Sequence, residues 1–262
     1  MSIATLAHHG RSFRLAGRLL PGATLVDAAG LYAFCRTVDD LADETIDPVV
    51  AHAALRSVRK AILAGDWRHT EAARFLALQD RTGVSTPAAI RLIAAGVLMC
   101  AVLDTRNPWA EAHAIDLGIA MQLTNIARDV MEDAARDRIY LPAAWLPPGM
   151  QPADIPDAAG PVFAVVQQVL ARADRSYRSA ELGYRYLPRR VRPAIRAAAR
   201  LYEEIGLRVL RHGPGYLKDG RCVVSMPRKL LVLAKCLGER TRAGPHDPAL
   251  HAVLCGLPGT HP

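Results

Sequence analysis

The chain has 262 residues, of which 51% are hydrophobic, 22% are charged and 5% are aromatic. This apolar content is enough for a folded core and excludes an intrinsically disordered protein. The five cysteines exclude a disulfide scaffold and a Cys-x-x-Cys metal site, because they are odd in number and scattered over positions 35, 100, 222, 236 and 255.

Positive charge is concentrated in the C-terminal third of the chain. Residues 172–242 contain eighteen Lys and Arg against six Asp and Glu, while the whole chain has a net charge of +8. This stretch has few aromatic residues and no nucleic-acid recognition motif, so we expect no nucleic-acid partner. Its basic faces are either ordinary solvated helix surfaces or a contact for an anionic membrane surface.

The N-terminus and the longest apolar run give no sign of a membrane-crossing segment. Residues 1–18 are interrupted by His8, His9, Arg11 and Arg14, which a signal-peptide core does not tolerate. The run from Leu92 to Leu103 is shorter than the roughly 20 residues that span a bilayer. We therefore expect a cytoplasmic protein, with peripheral membrane contact as the alternative role for the basic faces.

Apolar residues recur at three- and four-residue steps along nearly the whole chain, and no run alternates as a strand does. The pattern predicts an all-α protein with helices over 24–46, 49–64, 70–80, 86–104, 109–135, 161–185, 189–212 and 225–237. Six prolines between positions 141 and 161 predict a long loop after the fifth helix. We expect one domain over residues 1–242 and a loose tail over residues 243–262.

The first predicted helix contains four acidic residues within six positions, in a segment that we call the first motif, Arg36–Glu44. Asp39 and Asp43 lie one turn apart on the same helical face. Each like-charge pair costs a helix about 0.2–0.5 kcal/mol, so the pattern indicates a function that offsets this cost. An exposed acidic face is the structural alternative.

The fifth predicted helix contains a polar stripe in a segment that we call the second motif, Gln122–Asp133. The stripe consists of Gln122, Asn125, Asp129 and Asp133, and the remaining faces of the helix are mostly apolar. Buried carboxylates need ionic or hydrogen-bonding partners, which arginines of the core could also supply.

Two helices that present carboxylates at four-residue spacing favour a hard cation. Magnesium prefers one or two carboxylates together with water and phosphate oxygens. The sequence has no His-Glu-x-x-His, Glu-x-x-His or Cys/His cluster, which argues against zinc and di-iron sites. The residues therefore predict a helical cavity that binds a diphosphate through magnesium ions.

The two motifs, in this order, resemble those of the squalene and phytoene synthase family, the head-to-head prenyl diphosphate synthases. The similarity continues in Arg138–Pro142 after the second motif, and in Ser12-Phe13 and Leu19–Pro21 before the first motif. The resemblance implies a single-domain, isoprenoid-synthase-type helical bundle around a central cavity.

The resemblance also implies roles for individual residues. It implies that Mg²⁺, or Mn²⁺ in its place, is held by Asp39, Asp43, Asn125, Asp129 and Asp133. It implies that Arg36 and Arg128 contact diphosphate oxygens and that Tyr140 lies at the reacting centre. The implied substrate-binding residues are His9, Ser12, Phe13, Tyr32, Gln122, Arg138 and Tyr202.

The activity that the resemblance implies is the head-to-head condensation of two geranylgeranyl diphosphates to phytoene through prephytoene diphosphate, a step of carotenoid biosynthesis. This reaction needs no reductant. Residues 144–146 and 187–192 resemble bacterial phytoene synthases in particular. The first alternative is a presqualene or squalene-type synthase that uses farnesyl diphosphate and, for squalene, NADPH.

The sequence departs from the family in two places. Asp39 and Asn125 are only 86 positions apart, and Ala94–Cys100 resembles just the end of an aromatic-rich family segment. Asp137 stands where the family usually has glycine. Part of the cavity wall thus looks absent, and the second alternative is a non-catalytic member that acts as a partner protein. The sequence makes no prediction of the oligomeric state.

Overall fold

A computed structural model describes residues 15–43, 48–82, 107–238, 241–242 and 244–250. The described residues contain α-helices and short 3₁₀ turns but no β-strand, in agreement with the predicted all-α class. The helices are α1 (Gly22–Asp43), α2 (Pro48–Ala64), α3 (Thr70–Thr82), α4 (Pro108–Arg128), α5 (Val130–Ala134), α6 (Ala159–Gly183), α7 (Arg192–His212), α8 (Tyr216–Asp219) and α9 (Met226–Gly238).

The predicted helices match the observed ones closely, with one exception. The predicted helix over 109–135 is interrupted at Asp129, where φ is −99° and ψ is 13°. The predicted loop over 141–161 contains two 3₁₀ turns, Ala143–Trp145 and Pro152–Asp154. The predicted helix over 86–104, and with it the Ala94–Cys100 segment, lies outside the described residues.

The three long helices α4, α6 and α7 form the centre of the C-terminal part of the molecule. The contact between α4 and α6 is the most extensive between described helices, and α7 packs against both. Apolar residues of α6, among them Val162 and Val166, are buried against Ala127 of α4 and Val209 of α7. One side of α4 is therefore buried in a core, which determines the side of the helix on which the polar stripe of the second motif lies.

The first three helices pack mainly against one another and have their own core. The rings of Phe34 of α1 and Phe75 of α3 pack at a tilt of 38° with centroids 4.9 Å apart, and Leu31 and Ile62 belong to the same cluster. A short segment before α1 crosses to the other core, since Leu20 packs against residues of α4 and α6.

The α4–α6 interface also contains a buried polar cluster. Ser179 of α6 donates a hydrogen bond to the wholly buried Asp116 at 2.5 Å, and His113 Nδ1 lies 3.3 Å from the Ser179 hydroxyl. In the segment predicted as a loose tail, His246 Nε2 lies 3.0 Å from Asp116 Oδ2. The close approach of the helices requires Gly183, because a Cβ there would meet His113 Cβ at 2.3 Å.

Helix α9 packs on α7 through apolar contacts and through one buried carboxylate. Glu204 of α7 accepts two hydrogen bonds of 2.9 Å from Arg228 of α9 and one from Arg211. Burial alone would raise the pKa of Glu204, but these guanidinium groups outweigh it and lower the pKa. No described helix has the length and apolar character needed to cross a bilayer.

Candidate active site

The second motif lies where α4 ends and α5 begins. Asp129 separates the two helices and is not helical itself, while its carbonyl accepts the Asp133 N–H at 2.8 Å to start α5. Just before the break, the Ala127 carbonyl accepts a hydrogen bond of 2.8 Å from the Tyr216 hydroxyl. The break therefore places Asp129 in a turn between two helices that are both anchored in the core.

Two arginines surround the Asp129 carboxylate. Arg128 Nε donates to Asp129 Oδ1 at 2.6 Å and Arg128 Nη2 contacts Oδ2, which makes the pair bidentate. Arg221 Nε lies 3.1 Å from Asp129 Oδ1 and 3.5 Å from Glu132 Oε2. Arg221 follows Gly220, whose φ of 92° turns the chain out of α8. The site thus brings two cations and two carboxylates together.

The crowding of charge appears in the pKa values of the site. Burial and the neighbouring Asp129 carboxylate raise the pKa of Glu132, although Arg221 opposes the rise. Burial opposes ionisation of Arg128, yet the hydrogen bond and charge of Asp129 raise the pKa of Arg128 overall. The Arg128 guanidinium therefore stays charged at neutral pH, and an anion near it meets fixed positive charge.

Tyr202 of α7 and Tyr32 of α1 border the same site. Burial raises the pKa of Tyr202 to about 12, with Tyr32 and Asp129 raising it and Arg128 and Arg221 lowering it. The Tyr202 phenol is therefore neutral at physiological pH and remains a hydrogen-bond donor. The predicted substrate-binding residues Tyr32 and Tyr202 are thus brought together beside the second motif, from opposite halves of the molecule.

The donor groups of the second motif fit a hard metal ion. The buried Asn125 Oδ1 has no hydrogen-bond partner among the described residues, which is costly unless another group is coordinated there. Asn125 and Asp129 are one turn apart, and oxygen donors of this kind suit Mg²⁺. Within the described part of the chain, no three His, Cys, Asp or Glu side chains surround one point. Asp129 is held by arginines in this state.

The first motif is only partly described. Asp39 and Asp43 lie one turn apart on α1, but their side chains are outside the described ones. Arg36, predicted to contact diphosphate, forms an ion pair with Asp40 at 2.8 Å on the same helix. The structure leaves the metal-binding role of the first motif as a prediction.

The remaining predicted residues either make no contact with Asp129 that the structure shows or lie outside the described residues. Gln122 is exposed on α4, and Arg138 Nη1 lies 3.4 Å from the hydroxyl of Tyr140, which is 48% exposed. Asp137, at the usual glycine position, has φ of 59°. The predicted residues His9, Ser12 and Phe13 are outside the described residues.

Three residues of the site were not predicted from the sequence: Glu132, Tyr216 and Arg221. Glu132 is visible inside the second motif, three residues after Asp129, but the predicted stripe continued four residues on, to Asp133. Tyr216 and Arg221 contact the motif although they follow it by about 90 positions in the sequence. Tyr216 and Ala127, for example, are 89 positions apart. Their only sequence signal was the turn residues Gly213–Gly215 and Gly220 in a basic stretch.

Comparison with known proteins gives consistent matches. The family model described as squalene/phytoene synthase matches residues 6–95 and 93–228. The chain is 33% identical to the phytoene synthase of Rhodobacter capsulatus over 282 aligned positions, covering 92% of this chain and 82% of that protein. It is 32% identical to a 15-cis-phytoene synthase of Paracoccus sp., covering 81% and 82% of the two chains.

The fold matches solved structures as well. A dehydrosqualene synthase crystallised with a ligand superposes with a TM-score of 0.67 at 22% identity, covering 90% of this chain and 94% of the other. A squalene synthase from Alicyclobacillus acidocaldarius gives a TM-score of 0.66 at 20% identity, covering 80% and 91%. These matches agree on the helical architecture.

Proposed function

The chain belongs to the squalene/phytoene synthase family, and on that premise we propose that it condenses two geranylgeranyl diphosphates head-to-head to phytoene. The enzyme is a prenyltransferase of isoprenoid and carotenoid biosynthesis. The relatives named phytoene synthase favour this product over squalene, so the reaction ends in proton loss and needs no NADPH. The observation that carries the assignment is the cluster of Arg128, Arg221, Glu132 and Tyr202 around Asp129.

The chemistry requires two departures of diphosphate. Loss of the first diphosphate gives an allylic cation, and the double bond of the second substrate attacks it to form a cyclopropylcarbinyl diphosphate with loss of a proton. Loss of the second diphosphate starts the rearrangement that ends in phytoene. Each departure places new negative charge on a diphosphate, which fixed cations stabilise.

The residues around Asp129 supply that stabilisation. Arg128 and Arg221 bind diphosphate oxygens, since both guanidinium groups already converge on an anionic carboxylate. The neutral Tyr202 phenol can donate a hydrogen bond to a diphosphate oxygen without adding charge to the site. The reaction also requires that water be kept away from the cations formed in it.

The family is of the prenyl diphosphate synthase type and uses a divalent metal; for this chain we take Mg²⁺, with Mn²⁺ as a substitute. Asn125, Asp129 and Asp133 are its proposed ligands from the second motif, and Asp39 and Asp43 from the first. When bound, the metal neutralises diphosphate oxygens and makes the diphosphate a better leaving group. The unpartnered Asn125 Oδ1 supports this set.

A direct assay tests the function. Purified protein is incubated with Mg²⁺ and radiolabelled geranylgeranyl or farnesyl diphosphate, and both released diphosphate and extracted lipids are measured. We expect diphosphate release with a coupled C40 hydrocarbon, accompanied by some prenyl alcohol if the shortened wall admits water. The two-piece family match, which meets at residues 93–95, supports such a shortening.

The same assay separates the alternatives. A coupled product from farnesyl diphosphate alone would indicate the squalene branch. Binding of prenyl diphosphate without any release of diphosphate would indicate the non-catalytic partner protein and contradict our proposal. The matched control is the reaction without divalent metal, which should release no diphosphate.

The outer face of α9 is our proposed contact with an anionic membrane surface. Its core side is taken by Val232 and Cys236, whereas Leu230 and Leu231 on the opposite side are 55% and 46% exposed. Leu231 also lines an open groove with Leu207 of α7. Residues 207–236 contain seven Lys and Arg against one Asp. An apolar face with basic surroundings suits anionic lipid, where a hydrocarbon product must leave.

Vesicle binding tests this contact. Sedimentation with vesicles containing phosphatidylglycerol should fall as salt rises, because surface attraction is screened over about 10 Å at 0.1 M salt. The double variant L230Q/L231Q should bind less, while Leu63→Gln, at an exposed leucine of α2, serves as the control. Salt-independent binding, or no binding, would contradict this proposal and indicate that the basic residues form ordinary solvated helix surfaces.

A further inference from the structure

Tyr216 stands directly behind the break that carries Asp129. We propose that Tyr216 is a positioning residue for the second motif: its hydroxyl holds the Ala127 carbonyl and thereby keeps Asp129 in the turn that faces the diphosphate site. The inference rests on the proposed function, because it assigns Asp129 to the metal and diphosphate site. Tyr216 itself is not a proposed ligand of the metal or of the diphosphate.

The hydrogen bonding of the helix explains how a tyrosine can cause the break. In a continuous helix, the Ala127 carbonyl would accept the N–H of residue 131. A side chain that inserts into this series is a known cause of helix interruption. Here the Tyr216 hydroxyl donates to that carbonyl at 2.8 Å, α4 ends one residue later at Arg128, and α5 begins at Val130.

The break determines which groups Asp129 can reach. Neighbouring residues on a continuous helix do not face each other. Arg128 and Asp129 nevertheless form a bidentate pair, and Arg221 reaches the same carboxylate at 3.1 Å. This arrangement depends on the non-helical φ and ψ of Asp129, so a helix that closed over the break would turn the carboxylate away from Arg128.

Tyr216 is fixed firmly enough for this role. The residue is 1% exposed, and its ring packs edge-on against Phe163 with centroids 6.1 Å apart. A buried phenol needs a hydrogen-bond partner, and burial also raises its pKa, so the hydroxyl remains a donor. The same segment provides Arg221 five residues later, and therefore contacts the second motif on both sides of the break.

The test compares two variants that each lose one buried hydroxyl. Tyr216→Phe keeps the ring and removes the hydrogen bond to Ala127. Tyr177→Phe removes the contact at 3.0 Å between the Tyr177 hydroxyl and Thr124, which belongs to the second motif but lies on its buried face against α6, five residues before the break. Both variants lose a similar buried hydrogen bond, so a purely structural role predicts the same result for both.

The readouts are Mn²⁺ binding by electron paramagnetic resonance, with inorganic diphosphate present, and the Mg²⁺ dependence of turnover. We expect Tyr216→Phe to weaken Mn²⁺ binding about tenfold, as loss of an outer positioning contact does, and to raise the Mg²⁺ concentration for half-maximal turnover equally. Tyr177→Phe should leave both quantities near wild type while lowering the melting temperature.

The outcomes separate the inference from the proposed function. Wild-type Mn²⁺ affinity in Tyr216→Phe, or an equal loss in Tyr177→Phe, would overturn the positioning role alone. Absence of Mn²⁺ binding by the unmodified chain would overturn the metal site of the proposed function, and the positioning role with it. The binding readout does not depend on turnover, so an inactive preparation can still be tested.

Discussion

At the scale of single residues, Asp129 is both a proposed metal ligand and the partner of two arginines. The side chains of Arg128 and Asp129 are only 14% and 18% exposed. The attraction between the two charges offsets the free-energy cost of removing each of them from water. The cost of like-charge crowding described for the first motif therefore does not apply to Asp129. Here the carboxylate has opposite charges on two sides.

We predict that Asp129→Asn lowers turnover about 100-fold or more, because it removes a metal ligand and disturbs both guanidinium groups. The free energy of unfolding should fall by about 1–3 kcal/mol, since Arg128 loses its charged partner. Diphosphate release and urea unfolding measure the two effects. The control is Asp174→Asn, which breaks the exposed pair with Arg178 and should change neither quantity appreciably. Near-normal turnover in Asp129→Asn would contradict the metal site.

Asp137 explains why the family usually has glycine at this position. Its φ of 59° lies in the left-handed region, where a side chain is strained. Asp137→Gly should raise the free energy of unfolding by about 0.5–1 kcal/mol, measured as a higher urea midpoint at unchanged slope. Asp157→Gly, at an exposed position with negative φ, should lower it by a similar amount. Equal loss in both variants would show that the Asp137 side chain stabilises its turn.

Buried tyrosines predict the alkaline behaviour of the protein. Burial raises the pKa of four of the seven tyrosines, Tyr177, Tyr184, Tyr202 and Tyr216, that of Tyr202 to about 12. Because the folded pKa exceeds that of the unfolded chain, about 10, the stabilisation is complete below pH 10 and is lost as the pH rises toward 12. Tyrosinate absorbance should show these four ionising only together with the loss of helical circular dichroism. Ionisation of all seven in folded protein would contradict this burial.

At the scale of helices, the apolar periodicity was sufficient to predict where most elements lie. The predicted helix 49–64 corresponds to Pro48–Ala64, and 70–80 to Thr70–Thr82. The break at Asp129 was not predictable, because nothing between Gln122 and Asp133 interrupts the pattern. Its cause, Tyr216, becomes a neighbour only after the chain has folded. Motif residues were visible in the sequence, whereas the residues that orient them were not.

Gly183 sets the spacing between α4 and α6. We predict that Gly183→Ala lowers the free energy of unfolding by about 1–3 kcal/mol, because the new methyl group would overlap His113 and force the helices apart. The control is Gly160→Ala in the same helix, where a Cβ meets nothing within 4 Å and where we expect a small gain of about 0.4–1 kcal/mol. Thermal unfolding of both variants measures the difference. A higher stability in both variants would contradict the prediction, because it would show that α4 and α6 can move apart without a loss of stability.

At the scale of the whole molecule, the described helices form two groups, the second of which contains three clusters of buried apolar residues. The first comprises α1, α2 and α3 around Phe34 and Phe75, and the second comprises α4, α6 and α7 with the shorter helices. Tyr32 of the first part is near enough to influence the pKa of Tyr202 in the second, and the two motifs belong one to each part. A diphosphate with its metal ions would therefore have ligands on both.

This division has a consequence for the cooperativity of unfolding. Two groups of helices joined by few contacts among the described residues need not unfold together, whereas a ligand held by both makes their unfolding interdependent. We predict that calorimetry of the ligand-free chain gives a broad or double endotherm, and that Mg²⁺ with inorganic diphosphate merges it into one sharper transition. At 100 times the dissociation constant, the gain in stability is about 2.7 kcal/mol. The diphosphate group and its metal ions would then hold the two groups of helices together, so that the molecule unfolds in one transition instead of two.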